Sequence, residues 1–131
     1  MAHNISDKSS RELQTCHPQL QRLFNEVSRH VNCTIIEGHR GEDLQNKAFK
    51  NKKSKVKYPN GKHNSYPSHA VDASPLPIQW DNLKRFYYFA GIVMGIAKML
   101  GIKVRWGGDW DSDLDTKDQN FNDLVHWEIM S

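Results

Sequence analysis

Two short segments, far apart in the chain, constrain this fold more than any other feature: 63-HNSYPSHAVDASP-75 and 123-DLVHWEI-129. The first carries His63 and, nine residues later, Asp72; the second carries Asp123 and, three residues later, His126. Asp72 is flanked by Ala70, Val71 and Ala73. A carboxylate in such an apolar strand is costly unless something pairs with it. A fold that brings the two segments together supplies that partner. Two imidazoles and a carboxylate are the ligand set of a catalytic zinc, with a fourth position left for water. An acid just outside the set, here Asp123, is what a metal hydrolase needs to take that water's proton. The residues by themselves therefore point to a zinc hydrolase.

Each of these residues also has a plainer explanation. Taken singly, His126 is a partly buried structural histidine, Asp72 a strand-end cap and His63 a solvated loop residue. Taken together, they favour the metal. His69 competes with His63 for ligand duty. It stands three residues from Asp72, however, which puts the two on opposite faces of a straight strand, so His63 is preferred. In a strand through 124–130, His126 shares a face with Leu124 and Glu128, opposite Val125 and Trp127. Arg40 follows a strand ending Glu37-Gly38-His39 and can aim its fork at a carboxylate or a developing oxyanion. Its alternative is a surface ion pair with Glu42 or Asp43. Asp109, Asp111, Asp113 and Asp115 alternate like the start of a calcium loop, but the glycine and terminal glutamate of an EF-hand are missing. A solvated loop is the preferred reading there, with Ca²⁺ the alternative.

Local patterns give an α+β domain. Residues 1–16 form a docking arm or short lead-in helix. Pro18 opens an amphipathic helix over 18–31, with Leu20, Leu23, Phe24, Val27 and Val31 on one side. The β-branched run 33–38 reads as a strand, and 42–50 as a short helix. The lysine-rich run 50–62, with its Pro-Asn-Gly turn, is a surface loop. A strand is expected at 69–74 and a core helix over 82–100 stopped by Gly101. Short strands at 102–106 and 124–130 flank a loop over 109–122. Helices packed on one face of a small, mainly antiparallel sheet complete a single domain spanning 1–131.

Composition narrows the partners. The net charge is +3 in 131 residues, too mild and dispersed for a nucleic-acid binder. The run 86–100 is too short and too interrupted by glycine to span a bilayer. Met1 to Leu13 contain no apolar signal segment. Cys16 and Cys33 lack a metal-binding spacing and read as free thiols of a reducing compartment.

The set Gly38-x-Arg40, His63…Pro67-Ser68-x-Ala70-Val71-Asp72, Trp106-Gly107-Gly108-Asp109-Trp110 and Asp123-x-x-His126-x-Glu128 resembles the LAS zinc peptidases. It is most similar to phage endolysins that act as L-alanyl-D-glutamate endopeptidases, relatives of D-alanyl-D-alanine carboxypeptidases and the hedgehog domain. Ser9-Ser10-x-x-Leu13 and His17-Pro18-x-Leu20 also fit this group. The resemblance implies His63, Asp72 and His126 as zinc ligands, Asp123 as catalytic base and Arg40 as the arginine that steadies the transition state. Two departures from the commoner family pattern stand out. Gly61 replaces a serine, and a Pro-Ser insertion lengthens the His63–Asp72 spacing. The resemblance further implies a monomer acting on peptidoglycan stem peptides in the periplasm, made in the host cytoplasm and released by a holin. The alternatives are a D-alanyl-D-alanine carboxypeptidase or dipeptidase using the same residues, and a non-catalytic zinc-stabilised wall-binding module.

Overall fold

The computed structural model describes residues 5–54, 56–109 and 123–130. Its helices are α1 (Asp7–Gln14), α2 (Pro18–His30), α3 (Glu42–Lys50) and α4 (Leu83–Leu100). Its strands are β1 (Cys33–Glu37), β2 (Ala70–Pro75), β3 (Val104–Trp106) and β4 (His126–Ile129). The strands lie in the order β1-β2-β4-β3, and every pairing between them is antiparallel. The α+β architecture expected from the sequence is the one observed.

Local chemistry explains where the helices start and stop. The Ser6 hydroxyl accepts from the Ser9 amide and caps α1. Pro18 starts α2, and the His17 ring accepts from the Gln19 amide. Gly101, at φ 72°, takes the left-handed position that ends α4. The expected strands at 102–106 and 124–130 are shorter in the structure. Leu124 and Val125 belong to a turn in which the His126 amide donates to the Asp123 carbonyl at 3.1 Å. Lys62–Asn64 form a 3-10 turn in a stretch expected to be loop.

Strand alternation divides the sheet into two chemically distinct faces. Cys33, Ile35, Val71, Ala73, Val104, Trp106 and Trp127 enter the core. There Trp127 is gripped edge-on by Phe24 of α2 and Phe89 of α4, each with ring centroids 5.6 Å away. Asp72, His126 and Glu128 point the other way. Both cysteines are free and buried; burial pushes their thiols up to about 12 for Cys16 and about 11 for Cys33.

A β-bulge in β1 adds to the polar face. Ile35 pairs with Ala73, but the next matched pair is Glu37 with Asp72, so two residues of β1 oppose one step of β2. The extra residue breaks the alternation and places Glu37 beside Asp72 instead of in the core.

Candidate metal centre and active site

Register brings the site together. Asp72 of β2 is paired directly with His126 of β4, and the 3-10 turn delivers His63 from the side. His63 Nε2 lies 3.2 Å from Asp72 Oδ1, His126 Nδ1 lies 3.4 Å from the same oxygen, and the two ring nitrogens are 3.3 Å apart. Among the described residues, this is the group of three that could hold a metal ion. All three are nearly sequestered from solvent, at 3, 9 and 7% exposure for His63, Asp72 and His126.

The outer nitrogen of each histidine is already engaged. His63 Nδ1 lies 2.7 Å from the Gly38 carbonyl, which can only accept. His126 Nε2 lies 2.8 Å from Glu128 Oε1, and Glu128 is held in turn by Arg105 at 2.7 Å. Each outer nitrogen therefore carries the proton in the neutral ring, and the lone pairs of the inner nitrogens converge. Asp72 Oδ1 is buried and makes no hydrogen bond to either ring. Three lone-pair atoms facing one another require a positive charge between them, either a proton or a cation. The residues fit a metal on this observation.

The electrostatics agree. Burial alone would raise the Asp72 carboxyl, but the imidazoles outweigh it and hold the group well below the usual carboxylate range. Burial alone would lower His126; the carboxylates of Asp72 and Glu128 overcome it and raise the imidazole to about 9. Glu128 is likewise lowered, with its bond to His126 overriding burial.

Asp123 sits at the mouth of the site, positioned by backbone. Its amide donates to the Gly107 carbonyl at 3.0 Å, while the Gly107 amide donates to the His126 carbonyl at 2.8 Å. A Cβ on Gly107 would collide with the Asp123 backbone, so this close approach requires glycine. Burial and the nearby Asp72 charge raise the Asp123 carboxyl to about 6.

Arg40 is held in a fixed pose by partners other than Glu42 or Asp43. Its Nε donates to Glu37 Oε1 at 2.6 Å and one terminal nitrogen donates to Gln45 Oε1 at 2.9 Å. The other terminal nitrogen reaches Asp72 Oδ2 at 3.5 Å. Gln45, 1% exposed, also donates to Ser54 Oγ and the Val56 carbonyl and accepts from Asn64. Sequence reasoning missed Gln45, Glu37 and the Gly38 carbonyl. The Gly38-x-Arg40 motif was the available signal, but it names none of Arg40's side-chain partners.

The remaining candidates fall outside the cluster. His69 is exposed, and its ring packs edge-on against His17, with centroids 5.8 Å apart. Val125 lines the cleft that also holds Asp72, Arg40 and Asp123, instead of following Trp127 into the core. The turn over 123–126 means that strand alternation does not extend back to it. Asp109 pairs in a bridge with Trp106; Asp111, Asp113 and Asp115 lie outside the described residues.

Comparisons with known proteins give the family and the fold. The phage L-alanyl-D-glutamate peptidase family matches residues 1–130. The L-alanyl-D-glutamate peptidase of Escherichia phage T5 is 29% identical over 125 residues, covering 91% of this chain and 90% of that protein. The crystal structure of the Serratia marcescens L-Ala D-Glu endopeptidase ChiX superposes with a TM-score of 0.75 at 24% identity. That match covers 98% of this chain and 91% of ChiX, and the fold is shared. The chain belongs to the phage L-alanyl-D-glutamate peptidase family.

Proposed function

We propose that this chain is a zinc-dependent endolysin that hydrolyses the L-alanyl–D-glutamyl bond of peptidoglycan stem peptides. The observation that carries the zinc assignment is the convergence of His63 Nε2, Asp72 Oδ1 and His126 Nδ1, with both outer nitrogens tied off. A tetrahedral ion with ligand bonds of about 2.0–2.1 Å needs ligand–ligand edges of about 3.3–3.4 Å. The observed separations of 3.2, 3.3 and 3.4 Å match one face of such a tetrahedron. Two imidazoles with one carboxylate, leaving a position open, is a catalytic rather than a structural donor set.

Zinc in this site would supply Lewis acidity, making a nucleophile of water near neutral pH and polarising the scissile carbonyl. The protein's own groups do the rest. Asp123, which lines the cleft beside Asp72 and Arg40, is placed to act as the general base. It takes the attacking water's proton and returns it to the departing amine. Arg40 presents a fixed positive charge beside Asp72, where it steadies the oxyanion of the tetrahedral intermediate. Because Glu37 and Gln45 fix its fork, little reorganisation is needed as that charge develops. Glu128 and the Gly38 carbonyl keep the ligand rings in the correct tautomers.

We place the action of this enzyme on the periplasmic wall, as a monomer released by a holin. No helix among the described residues is long and apolar enough to cross a membrane. The deciding experiment is mass spectrometry of products from purified peptidoglycan, with and without EDTA. Fragments ending in L-alanine, lost on chelation, are expected. Release of terminal D-alanine alone would assign a carboxypeptidase, and no cleavage with zinc bound would leave a wall-binding module.

A further inference from the structure

The cleft that holds Asp72, Asp123 and Arg40 has a volume of about 720 Å³, and Lys47, Lys52 and Lys53, of α3 and the turn after it, also line it. We infer that these three lysines form a subsite for the free carboxylate of the D-glutamyl residue on the leaving side of the scissile bond. This rests on the activity proposed above.

Three observations carry the inference. First, the lysines are unspent: among the described residues, none makes an ion pair with a carboxylate. Glu42 and Asp43, on the first turn of the same helix, are not used to neutralise them. Second, the turn that presents two of them is strained in their favour. Lys52 has φ 62°, a left-handed conformation in which a residue with a Cβ is disfavoured and glycine is usual. Its amide donates to the Phe49 carbonyl at 3.1 Å, and the Lys53 amide to the Ala48 carbonyl at 2.8 Å. A lysine thus stands at a position where the backbone favours glycine, on the lining of the active-site cleft. Third, the lysines line the same cleft as Asp72, Asp123 and Arg40.

The substrate has a matching charge. Glutamate has two carboxyl groups. When one continues the peptide, the other remains a free carboxylate close to the bond being cut. The lysines attract that charge. They would therefore raise affinity for a peptide whose glutamyl carboxylate is free.

The test compares two synthetic stem peptides, one with the glutamyl carboxylate free and one with it amidated, cleaved by the zinc-loaded full-length protein. Wild type should prefer the free carboxylate by about tenfold in kcat/KM, expressed mainly in KM, the scale of a charge-assisted contact at an exposed site. The triple variant K47Q/K52Q/K53Q should cut both peptides with nearly equal kcat/KM. Lys52→Gly keeps the left-handed turn and removes one charge. It should fold at least as well as wild type yet lose part of the preference, and Lys52→Arg should restore it. A wild-type enzyme indifferent to amidation, or a Lys52→Gly and triple variant with the wild-type preference intact, would overturn the subsite while leaving the peptidase assignment standing. Failure of wild type to cut either peptide at the Ala–Glu bond would overturn both.

Discussion

Glu128 Oε1 lies 2.8 Å from His126 Nε2 on the far side of the ring from Asp72. That contact decides which nitrogen of His126 faces the cluster. A glutamine there could present its amide nitrogen and favour the other tautomer. Glu128→Gln should weaken zinc binding by about 10–100-fold, the usual effect of losing such an outer partner. Competition with a fluorescent chelator measures this directly. Unchanged affinity would mean that the ring is held by packing alone.

The ligand assignment separates two histidines close in sequence. His63→Ala should abolish stoichiometric zinc, while His69→Ala should retain it, because the His69 ring packs against His17 outside the cluster. Metal analysis of both purified variants, with circular dichroism to confirm folding, distinguishes them. The reverse pattern would transfer the ligand role to His69.

Asp123 should show opposite effects on activity and stability. Asp123→Asn should cut the rate by about 10²–10⁴-fold, as expected for loss of a general base. In metal-free protein, the Asp123 carboxyl is raised from its ordinary 3.8 to about 6 by burial and by Asp72. The folded state then binds that proton more tightly than the unfolded state. The resulting stability is present below about pH 4 and lost as pH rises through 6. The asparagine side chain is neutral throughout and avoids that loss, so the variant should gain up to about 3 kcal/mol above pH 6 and nothing at pH 4. Thermal melts of the EDTA-treated proteins between pH 4 and 8 provide the check. Equal melting temperatures at pH 7.5 would place the wild-type carboxylate in water.

Arg40 and Gln45 should behave as a unit. Arg40→Ala should lower kcat more than it raises KM if the guanidinium serves the transition state. Gln45→Ala leaves Arg40 with a looser fork and removes the bonds to Ser54 Oγ and the Val56 carbonyl. A smaller kcat loss in the same direction is expected, along with a stability loss of about 1–3 kcal/mol for the unpaired buried groups. A double-mutant cycle in kcat/KM should be markedly non-additive; strict additivity would separate the two roles.

Much of this arrangement was legible in the sequence. The β-branched run from Cys33, Pro18 at a helix start and Gly101 at a helix end are local signals, and they mark real boundaries to within a residue or so. His63, Asp72 and His126 were recognisable as a set because together they make a metal donor set, although each taken singly has a plainer explanation. What stayed hidden is carried by backbone or by distant contacts. The Gly38 carbonyl that orients His63 has no side-chain signature. Glu37 reaches the site only because a bulge breaks the period of β1, and Val125 lies beside it because a turn does the same before β4. Gln45 reads as an ordinary helix residue until Asn64, Ser54 and Val56 bond to it.

The direct pairing of Asp72 with His126 has a consequence for engineering. Side chains alternate along β4, so a one-residue slip against β2 would carry His126 and Glu128 into the layer of Phe24 and Phe89 and turn Trp127 out to solvent. The same slip would scatter the ligands. Misassembly and loss of the catalytic arrangement are therefore a single event, not two independent risks. A library of variants sorted only for resistance to proteolysis would, without any assay of lysis, already be enriched in molecules whose ligands are correctly aligned.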